Sequence, residues 1–543
     1  MYRIFAIFMI VSLTISACGA APSLWGVPPT PTAESFTQET PLFDPFVVQD
    51  APIIFPTSTT PPFIETAAAA TPAPQQTPQS ANQTPGPMPT LRAENDAAPF
   101  LYYAQSGDML SAIAKRFGVD ETEIISDADL TQTTLIDPGT LLVIPNRITE
   151  ATTPNIQLVP DAEIVFSATA LNFDTEKYVK EQNGYLSDFR DYLGSTGWIE
   201  GYAAIDRLAI ENSINPRLLL ALLEFESRWV RGQPIDILHT DFPMGFNDYH
   251  YKGMSVQMTW AINTMSIAYY GWRAGTITQL DFPEGTTLRL DPRLNAGTVA
   301  IQYLFSRLHS QSQWAQIINP DTGFPAMYNE MFGDPWARAK PVDPLFPPAL
   351  NQPTLNLPFE PGTKWSFTGG PHNGWGQISP SIYGQSHSIF SAIDFAPAAA
   401  ESGCIPSNAW VVAAAPGLVV RSANGVVMVD LDGDGFEQTG WDLLYLHIAA
   451  EGRVSAGTWL EANDRIGHPS CEGGVSTGTH LHFARKYNGE WVTADGPIPF
   501  VMSGWRVVAG EAPYKGKLVR GDEEIVADLL SQSFANIIRD KDE

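Results

Sequence analysis

Histidine and aspartate gather in four short, sequence-distant segments of the C-terminal region. These are GGPHNGWG with His372, SAIDFAP with Asp394, DLLYLHIA with His447, and GTHLHFA with His480 and His482. Both residue types ligate catalytic zinc, whose sites combine three protein ligands with an open position for a water whose pKa falls towards about 7. Two His and one Asp meet that count. In an extended strand residues two apart share a side, so His480 and His482 enter one cleft while Leu481 faces the core. One of the pair can ligate while its neighbour handles protons. Along DLLYLHIA the same alternation puts Leu443, Tyr445 and His447 on one face and delivers a further histidine beside the site.

These side chains need a β framework, and the flanking sequence supplies one. WVVAAAPGLVVRS, GVVMVDLDGDG and TGWDLLYLHIA are apolar runs separated by Gly, Asn and Asp turns. DLDGDGFEQ has the look of a calcium loop but lacks a glutamate at the twelfth position, so it reads as a hairpin turn. His468, in IGHPSCEGG, reads as a structural residue.

The region 346–520 resembles the lysostaphin and LytM-like zinc endopeptidases of peptidase family M23, most specifically in Gly-Thr-His-Leu-His-Phe and Tyr-Leu-His. The resemblance implies zinc ligands at His372, Asp394 and His482 and catalytic histidines at His447 and His480. The family's commonest form has a His four residues before the ligand Asp, where this chain has Phe390. Some branches place the first ligand on a Gly-Gly-x-His loop further upstream, which His372 matches; His387, seven residues before Asp394, is the competitor.

Upstream, 177–345 reads as helical. In INPRLLLALLEFESRW, Asn215 is a good N-cap and Pro216 suits the first helical position. Leu219, Leu222 and Leu223 then share a face with Glu226. A carboxyl on an apolar stripe has its pKa raised, as a general acid for glycoside cleavage requires. The segment is similar to the Glu-Ser helix of soluble lytic transglycosylases, with DPRLNAGTVAIQYL and AMYN resembling later parts of that family. The family's Ser-x-x-Gly-Ala-x-Gly-Leu-Met-Gln stretch is replaced by PMGFNDYHYKGMSVQMTW.

At 101–145 a short strand is followed by Gly107-Asp108 as turn and cap. A helix with Leu110, Ile113, Ala114 and Phe117 on one side comes next, closed by Gly118. A second short helix at 121–125 and a terminal strand at 141–144 complete a βααβ unit. It resembles a LysM domain, notably in SGDMLSAIAKRFGV and IDPGTLLVIP, which implies binding of N-acetylglucosamine-containing glycan such as peptidoglycan. The family's usual Asn after the second helix is replaced around Asp127 to Asp129.

The chain's 543 residues exceed one hydrophobic core. With 31 Lys+Arg against 59 Asp+Glu its net charge of -28 repels nucleic-acid phosphates, so no nucleic-acid partner is expected. Residues 1–18 read as a secretory leader, with Arg3 ahead of an apolar run. Ile15-Ser16-Ala17-Cys18 resembles a bacterial lipobox, which implies cleavage before Cys18 and its lipidation. Residues 19–99 are rich in Pro and Thr and are expected to form a disordered tether. At about 3.1 Å per residue such a tether reaches up to roughly 250 Å. Outside the cytoplasm Cys404 and Cys471 can pair, and a loop of that length contributes about 4 kcal/mol in the chain-entropy model.

The expected fold class is multidomain: leader 1–18, tether 19–99, βααβ LysM module 100–146, linker 147–176, all-α lysozyme-like middle domain 177–345, mainly antiparallel β peptidase domain 346–520, and acidic C-terminal helix or tail 521–543. The expected function is that of an enzyme, a zinc (Zn2+) endopeptidase cutting peptidoglycan cross-links. It would be anchored by lipid to the outer face of the bacterial cytoplasmic membrane, facing the cell wall. The alternatives are a non-catalytic wall-binding scaffold that activates another hydrolase, and a bifunctional enzyme with added glycan-strand cleavage at Glu226.

Overall fold

The computed structural model describes residues 98–130, 135–193, 197–374, 390–398 and 403–542. The leader, Cys18, nearly all of the tether and His387 lie outside the described residues. Among the described residues no helix is long and apolar enough to cross a membrane.

In the first module β1 (Phe100–Tyr103) pairs antiparallel with β2 (Leu141–Ile144), and α1 (Leu110–Phe117) packs Ile113, Ala114 and Phe117 against Tyr102, Leu142 and Ile144. Gly118 ends α1 at φ 67, a left-handed position that glycine adopts without Cβ strain. Two expectations are corrected here. Asp108 does not cap α1; its buried carboxylate accepts from the Tyr102 hydroxyl at 2.6 Å and the Gln105 amide at 2.8 Å and pairs with Arg116. The second helix is a single 3-10 turn, Glu121–Glu123, because the β-branched pair Ile124-Ile125 turns extended and Ile125 bridges Val143.

The middle region holds α2 (Thr175–Gln182), α3 (Gly201–Asn212), α4 (Pro216–Ser227), α5 (Leu238–Asp241), α6 (Met254–Arg273), α7 (Ala296–Leu308), α8 (Gln311–Ile317), α9 (Phe324–Phe332) and α10 (Pro335–Ala339). It is not all-α: β3 (Arg190–Leu193) pairs with β4 (Gly197–Glu200), and β5 (Gln279–Asp281) with β6 (Thr287–Arg289). These hairpin strands are too short to show an alternation of their own. Asn215 caps α4 by accepting the Arg217 amide at 3.0 Å, and Pro216 opens it. Eleven of its twelve residues are buried, so the expected apolar stripe is a helix surrounded by core on every side.

The C-terminal region contains β7 (Lys364–His372), β8 (Ala392–Pro397), β9 (Val411–Val412), β10 (Gly417–Ala423), β11 (Val426–Asp430), β12 (Trp441–Leu446), β13 (Trp459–Leu460), β14 (Arg465–Gly467), β15 (Leu481–Tyr487) and β16 (Glu490–Trp491). After them come β17 (Val501–Met502), β18 (Trp505–Ala509), β19 (Gly516–Arg520), β20 (Glu523–Val526) and β21 (Asn536–Ile538). The main sheet runs β13-β10-β11-β12-β15-β8-β7-β21, with β16 paired to β15, and its ladders are antiparallel. β17 to β20 form a separate four-stranded sheet. The segment 521–543 is therefore neither a helix nor a loose tail. Ile537 pairs with Trp365 and is buried, and the Arg539 guanidinium donates to the carbonyls of Leu357 at 2.8 Å and Phe359 at 2.6 Å.

Strand alternation gives the main sheet two faces. Val427, Val429, Leu443, Tyr445, Leu481 and Phe483 enter the main core. Val426, Met428, Leu444, Leu446 and Ala484 form a second cluster with Trp491, against which Tyr270 of α6 packs. The β15–β16 hairpin is seated in the helical domain. Gly489 accepts from Ser213 Oγ at 2.7 Å, and the buried Glu490 accepts from the Tyr269 hydroxyl at 2.8 Å and Arg273 Nη2 at 3.0 Å. A Cβ on Gly489 would fall 2.2 Å from the Phe166 carbonyl oxygen, so the turn fits only as glycine.

Candidate metal centre

Three ligand atoms converge on the second face of the sheet. His372 Nε2 lies 3.0 Å from His482 Nδ1 and 3.2 Å from Asp394 Oδ1, and His482 Nδ1 lies 3.4 Å from the same oxygen. All three residues are buried. His482 and Asp394 are brought together by register, since they face each other directly in the β15–β8 ladder. His372 needs a distortion to join them. Gly369 pairs with Asp394 and His372 with Ala392, so β7 uses three steps where β8 uses two. That bulge turns His372 onto the face that Asp394 occupies. Gly369 is required there for a second reason, because a Cβ would sit 2.4 Å from Asp394 Oδ2.

Backbone carbonyls set the histidine tautomers. His372 Nδ1 donates to Gly370 O at 2.8 Å and His482 Nε2 donates to Gly374 O at 2.9 Å. Each ring therefore presents a lone pair to its partner. Burial pulls the His482 pKa down, which keeps its ring neutral. Burial works against the charge on Asp394, yet the His372 and His480 rings hold its carboxyl well below the usual carboxylate range. The buried Asp394 Oδ1 has no hydrogen-bond partner among the described residues. With both ring protons on those carbonyls, the three atoms that meet are acceptors, an arrangement that suits a cation. Zinc bonds of about 2.0–2.1 Å in a tetrahedron give ligand separations of about 3.3 Å, and the three distances bracket that value. The donor set and its spacing fit zinc.

The other two histidines stand beside this trio. His480 Nε2 is 3.7 Å from Asp394 Oδ1, while its Nδ1 donates to Gly478 O at 2.8 Å. His447 arrives by a route that alternation does not describe. Leu443 and Tyr445 enter the main core, but His447 has φ 68 and swings to the other face. Its ring lies 4.5 Å from that of His480 and 6.1 Å from that of His482. A left-handed non-glycine residue costs about 1–2 kcal/mol. Three hydrogen bonds from a distant segment hold it: Nδ1 donates to Glu472 O at 3.0 Å, and its carbonyl accepts from Ser470 N at 2.6 Å and Oγ at 3.0 Å. Burial, then the neighbouring His480 and His482, pull the His447 pKa down to about 3.

Cys404 and Cys471 are bonded, and the segment they tether supports GTHLHFA, because Gly403 O accepts from Thr479 N at 3.0 Å and Ile405 O from Thr479 Oγ1 at 2.6 Å. Glu226 belongs to the helical core, where its carboxylate pairs with His309 Nε2 at 2.9 Å. His468 donates from Nδ1 to Ala409 O at 2.8 Å and packs on Trp410.

Sequence reasoning missed Tyr514. It precedes β19, and its ring stacks on His372 with centroids 4.1 Å apart and planes 22° apart. Tyr514 N donates to Pro371 O at 3.2 Å, Gly370 N donates to Tyr514 O at 3.0 Å, and burial followed by Asp394 pushes the phenol up to about 12. Trp491 was missed as well; it walls Gly374, where a Cβ would meet its ring at 2.8 Å. Neither residue carries a local signal, since each reaches the site from a different strand pair.

Residues 157–345 match the family described as the LasA N-terminal domain, and residues 102–145 match the LysM domain. Over 359 residues, 63% of this chain and 77% of the relative, the sequence is 27% identical to protease LasA of Pseudomonas aeruginosa (strain UCBPP-PA14). Over 167 residues, 30% of this chain and 39% of the relative, it is 26% identical to a β-lytic metalloendopeptidase of Achromobacter lyticus. Among solved structures, the deep-sea M23 metalloprotease pseudoalterin aligns at 23% identity with a TM-score of 0.25, covering 32% of this chain and 96% of that one. The helical region that contains Glu226 thus matches the N-terminal domain of a protease. The chain carries a LysM domain and a LasA-like N-terminal domain, and it is homologous to protease LasA and to a metalloendopeptidase.

Proposed function

We propose that this protein is a zinc endopeptidase that cleaves peptide cross-links of peptidoglycan and works from a lipid anchor at Cys18, on the outer face of the bacterial cytoplasmic membrane. The observation that carries the reading is the convergence of His372 Nε2, His482 Nδ1 and Asp394 Oδ1 with both histidine protons turned away to carbonyls. His372, Asp394 and His482 would hold the zinc ion, which would supply Lewis acidity to a scissile carbonyl and to the attacking water. His480, with Nδ1–H fixed on Gly478 O, presents Nε2 as the general base. His447, held by Glu472 O, faces the same space and is the residue we assign to the side of the developing oxyanion. Asp394 Oδ1 would be the third ligand beside the two ring nitrogens. The LysM module would hold wall glycan while the peptidase site works on the attached peptides.

Metal analysis of the purified chain, paired with digestion of peptidoglycan and mass analysis of the fragments, tests the assignment. His482→Ala is expected to lose zinc and activity together. His480→Ala is expected to keep its zinc while turnover falls about 10²- to 10⁴-fold, the usual cost of a lost general base. Zinc retained in His482→Ala with full cleavage would refute the ligand set.

A further inference from the structure

A second constellation of oxygen ligands sits where β11 turns into β12. Asp430, Asp432 and Asp434 each offer a carboxylate oxygen, and these lie within 4.8 Å of one another. Asp430 is fully buried, and its carboxylate already organises the loop: Oδ1 accepts from the amides of Asp432 and Gly433 at 3.0 Å each, and Oδ2 accepts from Gly435 at 2.8 Å.

An independent observation comes from the opposite strand. Asp442 is fully buried, and neither of its carboxylate oxygens has a hydrogen-bond partner among the described residues. It pairs directly with Asp430 in the β11–β12 ladder, on the face shared with Met428 and Leu444. Directly opposed residues have Cβ atoms about 4.5–5.5 Å apart, so Asp442 is the ladder neighbour of Asp430, outside the group of three whose oxygens lie within 4.8 Å. Lys486 faces Asp442 from β15 but gives its ammonium to Glu437 at 3.0 Å. Gly440, at φ 63, lets Asp432 lie over the start of β12; a Cβ there would fall 2.1 Å from Asp432 Oδ2. Burial drives the Asp442 carboxyl well above its usual range; Lys486 opposes the rise, and Glu437, Asp430 and Asp432 add to it. A buried carboxylate without a partner is costly, and a neighbouring cation offsets that cost.

We propose that Asp430, Asp432 and Asp434 form a binding site for a calcium ion, whose charge also offsets the buried, unpartnered Asp442 carboxyl across the ladder. An all-oxygen donor set on a glycine-containing loop suits a hard, flexibly coordinated cation at 2.3–2.6 Å and disfavours zinc. The loop lacks the glutamate that usually closes such a site from the twelfth position, and the buried Asp442 adjoining Asp430 adds negative charge beside the ion. The bound ion ties β11 to β12, the strand that leads into His447, and so stiffens the sheet that carries the histidines without belonging to their site.

The test is calcium chloride titration of the purified, chelator-treated full chain, read by calorimetry and by the thermal midpoint. One calcium per chain is expected, with a midpoint that rises as calcium is added. Asp432→Asn and Asp434→Asn change exposed side chains and leave the core intact, and each is expected to weaken calcium about tenfold or more because affinity follows ligand charge. Glu524→Gln, an exposed carboxylate of β20, is expected to bind as the parent does. Asp442→Asn removes charge beside the ion and is expected to weaken calcium as well. No saturation at millimolar calcium, binding unchanged in Asp432→Asn, or saturation by magnesium chloride with none by calcium would each overturn the proposal.

Discussion

Replacing Arg273 by Met should loosen the seat of the β15–β16 hairpin in the helical domain. Arg273, in the last turn of α6, holds two acids that come from different regions of the chain: Nη2 lies 3.0 Å from Glu490 Oε2 and 3.1 Å from Asp161 Oδ2. The Glu490 side chain is 3% exposed, that of Asp161 10% and that of Arg273 11%, so water cannot take over the lost charge. Methionine keeps much of the volume and leaves two carboxylates without their cation. Breaking a buried pair by removing one partner costs about 3–5 kcal/mol, a large part of a domain's 5–15 kcal/mol. The cost depends on pH. Burial raises the Glu490 carboxyl above its ordinary value of 4.5, Arg273 opposes that rise and Asp161 adds to it. An acid whose folded pKa is raised contributes stability that is intact below its unfolded value and lost as pH rises through the folded one. Removing Arg273 raises the folded value further, so the deficit should be largest near about pH 8 and shrink towards about pH 4.5. Urea unfolding and hydrogen exchange of the hairpin amides at the two pH values measure it. The double variant Arg273→Met with Glu490→Gln should recover part of the loss, since one buried charge is gone. The effect should also reach the metal, because Trp491 walls the Gly374 turn whose carbonyl orients His482. Support of that kind is worth about 10- to 100-fold in metal affinity. A deficit below about 1 kcal/mol, the scale of an exposed ion pair, or an equal deficit at both pH values, would refute the reasoning.

Gly369→Ala places a methyl 2.4 Å from Asp394 Oδ2 and should lower zinc content measured by metal analysis while far-ultraviolet circular dichroism stays unchanged. Burial works to raise the Glu437 carboxyl, but Lys486 and Arg421 outweigh it and draw it from 4.5 to about 2. A depressed acid contributes stability present above its unfolded value, so about 3 kcal/mol should disappear as pH falls from 4.5 through about 2. Acid titration of stability in the parent and in Glu437→Gln checks this, with a flatter profile expected in the variant. Cys18→Ser should abolish labelling by a radioactive fatty acid and leave the leader uncleaved, which gel mobility reports; unchanged labelling would remove the anchor.

Local patterns in the sequence determined whatever depends on neighbours along the chain. Asn215-Pro216 begins a helix because the cap and the fixed proline φ act within one turn, and His-Leu-His divides between two sheet faces because strand alternation has a period of two. The LysM module was legible for the same reason, apart from Asp108, whose carboxylate pairs with Arg116 and caps nothing, and the 3-10 turn where β-branched residues overrode the helical reading. Only the tertiary structure decided the rest. His372 shares a face with Asp394 through a bulge, which is a mismatch between two strands and has no existence in either one alone. His447 departs from alternation through a left-handed backbone held by residues more than twenty positions away. Tyr514 reaches His372, Asp442 reaches Asp430, and 536–538 closes the sheet edge by long-range register. Register is set by the summed burial of a whole face, so it belongs to the assembled sheet, whereas each residue's type and its immediate spacing belong to the chain.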